Sequence, residues 1–348
     1  MPGRSQITSL AQDSAGRSIP STATMGNSSA RIAFHDLLPP QQSMLDEVLA
    51  GLARPQKQIA PKFFYDARGC ELFEAICNLP EYYPTRTELA IMRSHAGAMA
   101  ERLGPDCALI EIGCGNSEKT RLLLEASRPA VFVAIDIARE QLEASCHALA
   151  RTFQEMAIIA LRADFAQPVA LPVAALGQAG RRILYFPGST IGNFTPAEAR
   201  AFLARWAPLL GAGGGALIGV DLKKDRALLD AAYNDARGVT AEFNRNALRH
   251  INRVLGADFD PAAFRHHAFY SAGHGRIEMH LVSVRAQRVT ISGHEFELRE
   301  GEIIHTENSC KYGIAEFQEL GRAAGFEPVQ CWTDSANLFA VHYLTLPQ

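Results

Sequence analysis

Between residues 107 and 222, five short apolar runs alternate with stretches of helical spacing, and few folds accommodate that rhythm. The runs are "CALIEIGCG" (107–115), "VFVAIDI" (131–137), "AIIALRADF" (157–165), "RRILYFPGSTIGNF" (181–194) and "GALIGVDL" (215–222). Each has the length of a strand, and near-continuous apolarity means that both faces are covered. Strands of this kind belong to a parallel sheet flanked by helices on both sides. "EKTRLLLEAS" (118–127), a stretch near 139–151 and "TPAEARAFLARW" supply the helices. The last opens with Thr195 and Pro196, a sound helix-start signal. "PVQCWTD" and "NLFAVHYLTL" close the chain as two final strands of a meander.

Between 223 and 312 the rhythm breaks. A helical, Ala- and Asn-rich segment (226–256) leads into "RIEMHLVSVRAQRVTISGHEFELREGEIIHTE", which has strand character. This reads as an insertion between the fifth and sixth strands of a seven-stranded sheet. Residues 35–86 and 223–311 then form a second, smaller α+β domain that binds substrate. Residues 87–222 and 312–348 form the sheet domain. Residues 1–34, rich in Ser, Ala, Gly and Thr, cannot bury enough apolar surface to fold alone and read as a disordered leader.

The formal net charge of −3, with no long run of Lys or Arg, argues against nucleic acid as a partner. No apolar run approaches the roughly 20 residues that span a bilayer. Seven dispersed cysteines without a CxxC pair read as reduced thiols of a cytoplasmic protein. His266, His267, His274 and His280 fall together in "RHHAFYSAGHGRIEMH". With no cysteine or carboxylate repeating beside them, a histidine-rich hairpin is the better reading, and no metal is expected.

The first run ends in "IEIGCGNSEKT", where Gly113 and Gly115 let a strand turn tightly into a helix. In an open α/β sheet, ligands bind at this edge. A dinucleotide fingerprint needs a third Gly, but Glu118 stands there, which weakens a nicotinamide oxidoreductase as an alternative. The acid Glu111 before the turn suits a ligand with a cationic end. Asp136 closes the second strand, placed to accept both hydroxyls of a ribose. Asp164 and Phe165 close the third, offering a carboxylate and an apolar face to an adenine. Together these features suggest S-adenosylmethionine.

Longer strings point further. "PKFFYDARGCELFEAICNLPEYYPTRTE" (61–88), "EIGCGNSEKTRLLL", "FPGSTIGNF", "AAYNDARGVTAEFNRN" (231–246) and "HTENS" occur in order across residues 60–348. In this the chain resembles the L-histidine Nα-methyltransferases of ergothioneine biosynthesis. The resemblance implies a class I methyltransferase, Rossmann-like, acting on a free amino acid as a monomer. It implies that Gly113, Lys119, Asp136, Asp164 and Phe165 bind S-adenosylmethionine. Tyr82, Asn193 and Tyr233 would hold the amino acid's backbone groups, and Tyr65 would lie beside the amine being methylated. Glu307 and Ser309 would hydrogen-bond the imidazole, with Met279 lining its pocket. The implied product is hercynine, made in three successive transfers. The chain departs from the family pattern at Cys114, Asn116, Asn308 and Cys310.

The residues suit that chemistry. Methyl transfer from a sulfonium needs in-line positioning and a free amine lone pair. Tyr65 suits an orienting role better than that of a base, since a phenol ionises near pH 10. On a strand, residues two apart share a face, so Glu307 and Ser309 can reach one ring while Asn308 points away. Two rivals remain at this point. One keeps the cofactor but takes Tyr, Trp or a histidine derivative; the other is a non-catalytic S-adenosylmethionine-binding regulator.

Overall fold

The computed structural model describes residues 32–38, 41–115, 117–176 and 179–348. From the amino-terminal side the elements are β1 (Ile32–Asp36), α1 (Gln41–Leu52), α2 (Ala67–Cys77) and α3 (Tyr83–Leu103). The alternating series follows as β2 (Ala108–Ile112), α4 (Glu118–Ser127), β3 (Val131–Asp136), α5 (Arg139–Thr152) and β4 (Ala157–Arg162). It continues with β5 (Arg182–Phe186), α6 (Pro196–Leu210) and β6 (Gly215–Asp221). Next come α7 (Arg226–Ala232), α8 (Val239–Leu255), β7 (Phe264–Ser271), β8 (Arg276–Ser283), β9 (Gln287–Ile291), β10 (His294–Leu298) and β11 (Ile303–Cys310). The chain ends in α9 (Ile314–Ala323), β12 (Glu327–Thr333) and β13 (Phe339–Thr345).

The main sheet has eight strands in the order β1-β4-β3-β2-β5-β6-β13-β12. Strands β1 to β6 run parallel, while β13 is antiparallel to both its neighbours. Alternate residues of the central strands feed two cores. Ala108, Ile110 and Ile112 pack on one face and Leu109 on the other, as a pleated strand requires. Thr195 and Glu198 form a reciprocal capping box that starts α6 behind Pro196.

Two sequence expectations are corrected. Residues 1–31 lie outside the described residues, but the last part of the anticipated leader is β1, an eighth strand at the sheet edge. "IAFHD" has no apolar run because this edge strand is half exposed. What holds it is pairing with β4, from Ile32 opposite Ile158 to Asp36 opposite Arg162, with an Arg162–Asp36 ion pair at 3.0 Å. The segment 226–256, read as one helical stretch, is two helices. Gly238, at φ 72°, separates them, and the Asp235 carboxylate accepts from the Val239 and Thr240 amides to start α8.

A third core lies outside the sheet. It joins α1, α2 and α8 to the antiparallel sheet β11-β8-β7 and the β9–β10 hairpin, with Phe64, Ile76, Phe243, Leu248, Met279 and Ile304 among its members. "EFNRN" earns its unusual composition here. The buried Asn246 donates to the Phe64 carbonyl at 3.1 Å and to Asp66 at 2.7 Å, and Asp66 in turn caps α2 through the Gly69 amide. A side chain at residue 69 would place its Cβ 1.6 Å from the Phe64 oxygen, so only glycine allows this approach. The result is a fixed platform for Tyr65. Among the described residues, no helix is long and apolar enough to cross a membrane. All seven cysteines are free thiols.

Candidate active site

The turn after β2 lies at the carboxyl edge of the parallel strands. Gly113 has φ 72° and Gly115 φ 44°, and a Cβ at either would meet nothing within 4 Å. Open space beside a glycine turn is the shape that lets a ligand approach backbone closely. Asp136 stands next to it at the end of β3, with one carboxylate oxygen accepting the Ala138 amide at 2.9 Å. Burial raises its pKa, and backbone N–H groups from Ala138, Gly115, Ile137 and Cys114 oppose that rise. Beneath the turn, Glu111 accepts from Thr120 at 2.6 Å while its second oxygen is buried without a partner among the described residues. Burial pushes this carboxyl up to about 8.

Lys119 and Asp164 have protein partners at this edge. The Lys119 ammonium pairs with the buried Glu88 at 2.5 Å. Glu88 also accepts the Gly188 amide at 2.9 and 3.1 Å, tying α3, α4 and the loop after β5 together. Asp164 accepts the Ala166 amide and pairs with Lys62 at 2.7 Å, and Lys62 also reaches Glu47 at 2.5 Å. Lys62 therefore links the third core's segment to the rim of the sheet. Phe165 turns its ring edge-on toward Phe186 and Phe194.

A second cavity opens between the sheet edge and the third core, with about 520 Å³ of empty space counting its open mouth. Its wall includes Tyr65, Tyr82, Asn193, Tyr233, Met279, Glu307 and Ser309. These seven come from six segments, Glu307 and Ser309 sharing β11, and are the residues marked in sequence for the catalytic and substrate roles. Tyr65 follows the short 3₁₀ turn Pro61–Phe64, Tyr82 precedes α3, and Asn193 ends the 3₁₀ turn Thr190–Asn193. Tyr233 sits just past α7, at its carboxyl-terminal cap. Met279 lies opposite Glu307 across β8 and β11.

Aromatic rings crowd one side. Tyr65 meets Phe73 and Phe243 edge-on at 5.8 and 5.6 Å, and Tyr82 meets Tyr233 at 6.1 Å. Burial raises the phenol pKa of Tyr65 and of Tyr82 well above the ordinary value. Both are neutral at physiological pH.

The other side is polar. Glu307 is buried, and burial lifts its carboxyl to about 7, opposed only by the Lys311 charge. Ser309 Oγ accepts from the Tyr233 hydroxyl at 2.8 Å and from Lys311 Nζ at 2.8 Å. With both acceptor positions engaged, its own proton is left to donate. The wall thus presents an acceptor at Glu307 and a donor at Ser309. Thr240 Oγ1, also on the wall, is buried without a partner among the described residues.

Lys311 was not singled out in sequence. Its ammonium is almost fully buried and touches Asp221 at 2.8 Å, Tyr233 at 3.0 Å and Ser309. Burial alone would lower its pKa, but the Asp221 carboxylate holds it above the usual lysine range. Asp221, at the end of β6, also binds Lys224 and accepts the Tyr83 hydroxyl at 2.8 and 2.9 Å. The available signal was the two-residue period of β11, which puts residue 311 in line with 307 and 309.

Comparison with known proteins gives a consistent result. The family model described as "Histidine-specific methyltransferase, SAM-dependent" matches residues 44–346. The histidine N-alpha-methyltransferase of Mycolicibacterium smegmatis is 41% identical over 310 residues, covering 86% of this chain and 94% of that protein. The protein of the same name from Mycobacterium tuberculosis is 40% identical, covering 85% and 92%. Ergothioneine biosynthesis protein 1 of Neurospora crassa is 31% identical over 85% of this chain but only 34% of its own length.

Proposed function

The chain belongs to the histidine-specific, S-adenosylmethionine-dependent methyltransferase family, and we propose that it methylates the α-amino nitrogen of free L-histidine three times to give hercynine. The observation that carries the substrate reading is the pairing of a desolvated carboxylate acceptor, Glu307, with a hydroxyl donor, Ser309, on one cavity wall. A neutral imidazole has one N–H and one bare nitrogen and satisfies both. A phenyl or aliphatic side chain would leave both groups unpaired, and a buried polar site rejects such ligands strongly.

When bound, S-adenosylmethionine supplies a methyl group activated by its sulfonium. The glycine turn at Gly113 offers the open backbone it needs, and Asp136 offers a carboxylate for its ribose. The amine must present a free lone pair to that methyl group, so an ammonium proton has to leave before each transfer. Tyr65, neutral because burial raises its pKa, orients the amine as a hydrogen-bond partner. Asn193 and Tyr82 hold the carboxylate and amine side of the amino acid. The rings of Tyr65, Phe73, Tyr82 and Phe243 accommodate the growing cation by cation–π attraction. The Lys311–Asp221 pair acts through Ser309 and Tyr233, fixing the directions of their protons.

Mass spectrometry of the product from purified protein, S-adenosylmethionine and all twenty amino acids tests this. The expected product is histidine carrying three methyl groups. Methylation of Tyr or Trp instead would overturn the roles given to Glu307 and Ser309. Cofactor binding without any product would favour a regulator.

A further inference from the structure

The antiparallel sheet that presents Glu307 and Ser309 to the cavity carries a different set of side chains on its reverse face. There the register aligns three histidines in a row across the strands: His267 of β7 lies opposite His280 of β8, which lies opposite His305 of β11. An irregularity between His305 and Glu307 makes this possible. Without it, His305 would share a face with Glu307.

Glu278 joins the row. Nitrogen atoms of His280 and His305 and an oxygen of Glu278 all lie within 4.8 Å of one another. His280 Nε2 is 3.6 Å from Glu278 Oε2, while Arg276 engages the other oxygen, Oε1, at 2.8 Å. His280 is 4% exposed, and its Nδ1 has no partner among the described residues. Histidine buried to this degree ordinarily satisfies both nitrogens. His305 is steadied by Asn308, whose amide oxygen lies 3.0 Å from its Nε2. An open groove lined by His267, His280, His305, Glu278 and Asn308 gives access from solvent.

We infer that Glu278, His280 and His305 form a binding site for a divalent first-row transition metal of the zinc class. Two imidazoles and one carboxylate are the donor set such an ion takes, leaving a fourth position for water or His267. Magnesium and calcium, which need mostly oxygen donors, are excluded by the same set. The site is separate from the methyl-transfer cavity but shares β11 with it.

The test is zinc binding to the full, untagged chain by isothermal titration calorimetry, without histidine, which would itself chelate the ion. Cobalt(II) absorption serves as an independent readout of tetrahedral nitrogen ligation. One zinc per chain is expected. His280→Ala and His305→Ala should each weaken binding by roughly 100-fold, whereas His147→Ala, on α5, should leave it unchanged. Circular dichroism and melting temperature establish that the variants remain folded. Should His280→Ala disturb the sheet, Glu278→Gln at the groove surface tests the same site and should weaken binding by at least tenfold. Absence of stoichiometric binding, or binding unchanged in His305→Ala and Glu278→Gln, overturns the assignment.

Discussion

Replacing Glu307 by glutamine exchanges a buried carboxylate for a neutral group of the same shape, and its two consequences have opposite signs. In the ligand-free protein, burial lifts this carboxyl from 4.5 to about 7. The unfolded chain ionises near the lower value. Between the two, the unfolded state releases a proton that the folded state keeps, so stability falls as pH rises through that window and stays lower above it. At roughly 1.4 kcal/mol per pH unit, the displacement from 4.5 to 7 amounts to about 3 kcal/mol at pH 8. Glu307→Gln removes that penalty. The variant should melt several degrees higher than the parent at about pH 8, with the gap narrowing toward about pH 5. Activity moves the other way. Losing a charge-assisted hydrogen bond to the imidazole costs about 1.5–3 kcal/mol, or roughly 10- to 150-fold in kcat/KM for histidine. Differential scanning calorimetry across pH, paired with steady-state kinetics, reads both. A variant that is less stable at pH 8, or a gap that does not depend on pH, would refute the reasoning, as would unchanged kcat/KM.

Other substitutions probe the remaining parts of the site. Lys311→Met leaves Asp221 with Lys224 and the Tyr83 hydroxyl as its buried partners. It should destabilise the fold by up to about 3 kcal/mol in chemical denaturation and raise KM for histidine, because Ser309 loses a donor that fixes its proton. Tyr65→Phe should preserve the melting temperature and lower kcat by about tenfold in single-turnover assays, as expected for one lost orienting hydrogen bond. Asp136→Asn should raise the Kd for S-adenosylmethionine by roughly 10- to 100-fold in calorimetry while leaving histidine discrimination intact. Gly69→Ala forces a Cβ against the Phe64 oxygen, so a fall in melting temperature accompanied by lost activity is expected.

The main sheet was legible because its strands are buried on both faces. β2 to β6 read as apolar runs, and each run ended where a Gly or Asp marks the ligand edge. β1 was not legible for the converse reason. Its five residues are half exposed, and it becomes a strand only because β4 offers an unpaired edge. Long-range pairing of that sort leaves no local periodicity. The cavity residues were found because the motifs containing them are long and unusual. The partners of Lys119 and Asp164 were not, since Glu88 and Lys62 reach them from 31 and 102 residues away.

Lys311 marks the boundary between the two kinds of information most clearly. A lysine following a polar strand end reads as a solvated charge. What buries it is Asp221, at the end of a strand 90 positions earlier, brought alongside when Leu222 bridges to Tyr312. Two charges removed from water together stabilise the site little and hold it rigidly. Here that rigidity reaches the substrate wall through Tyr233 and Ser309. Glu307 stands two residues before Ser309, with no opposite charge in direct contact among the described residues and a raised pKa. Asp221 is thus held by Lys311, Lys224 and Tyr83, whereas Glu307, on the cavity wall, has no such partner among the described residues. A ligand that brings an N–H to Glu307 relieves that burial, and one that does not meets a desolvated acid. On the proposed reading, specificity for an imidazole rests on this asymmetry between two acids, Asp221 paired and Glu307 not.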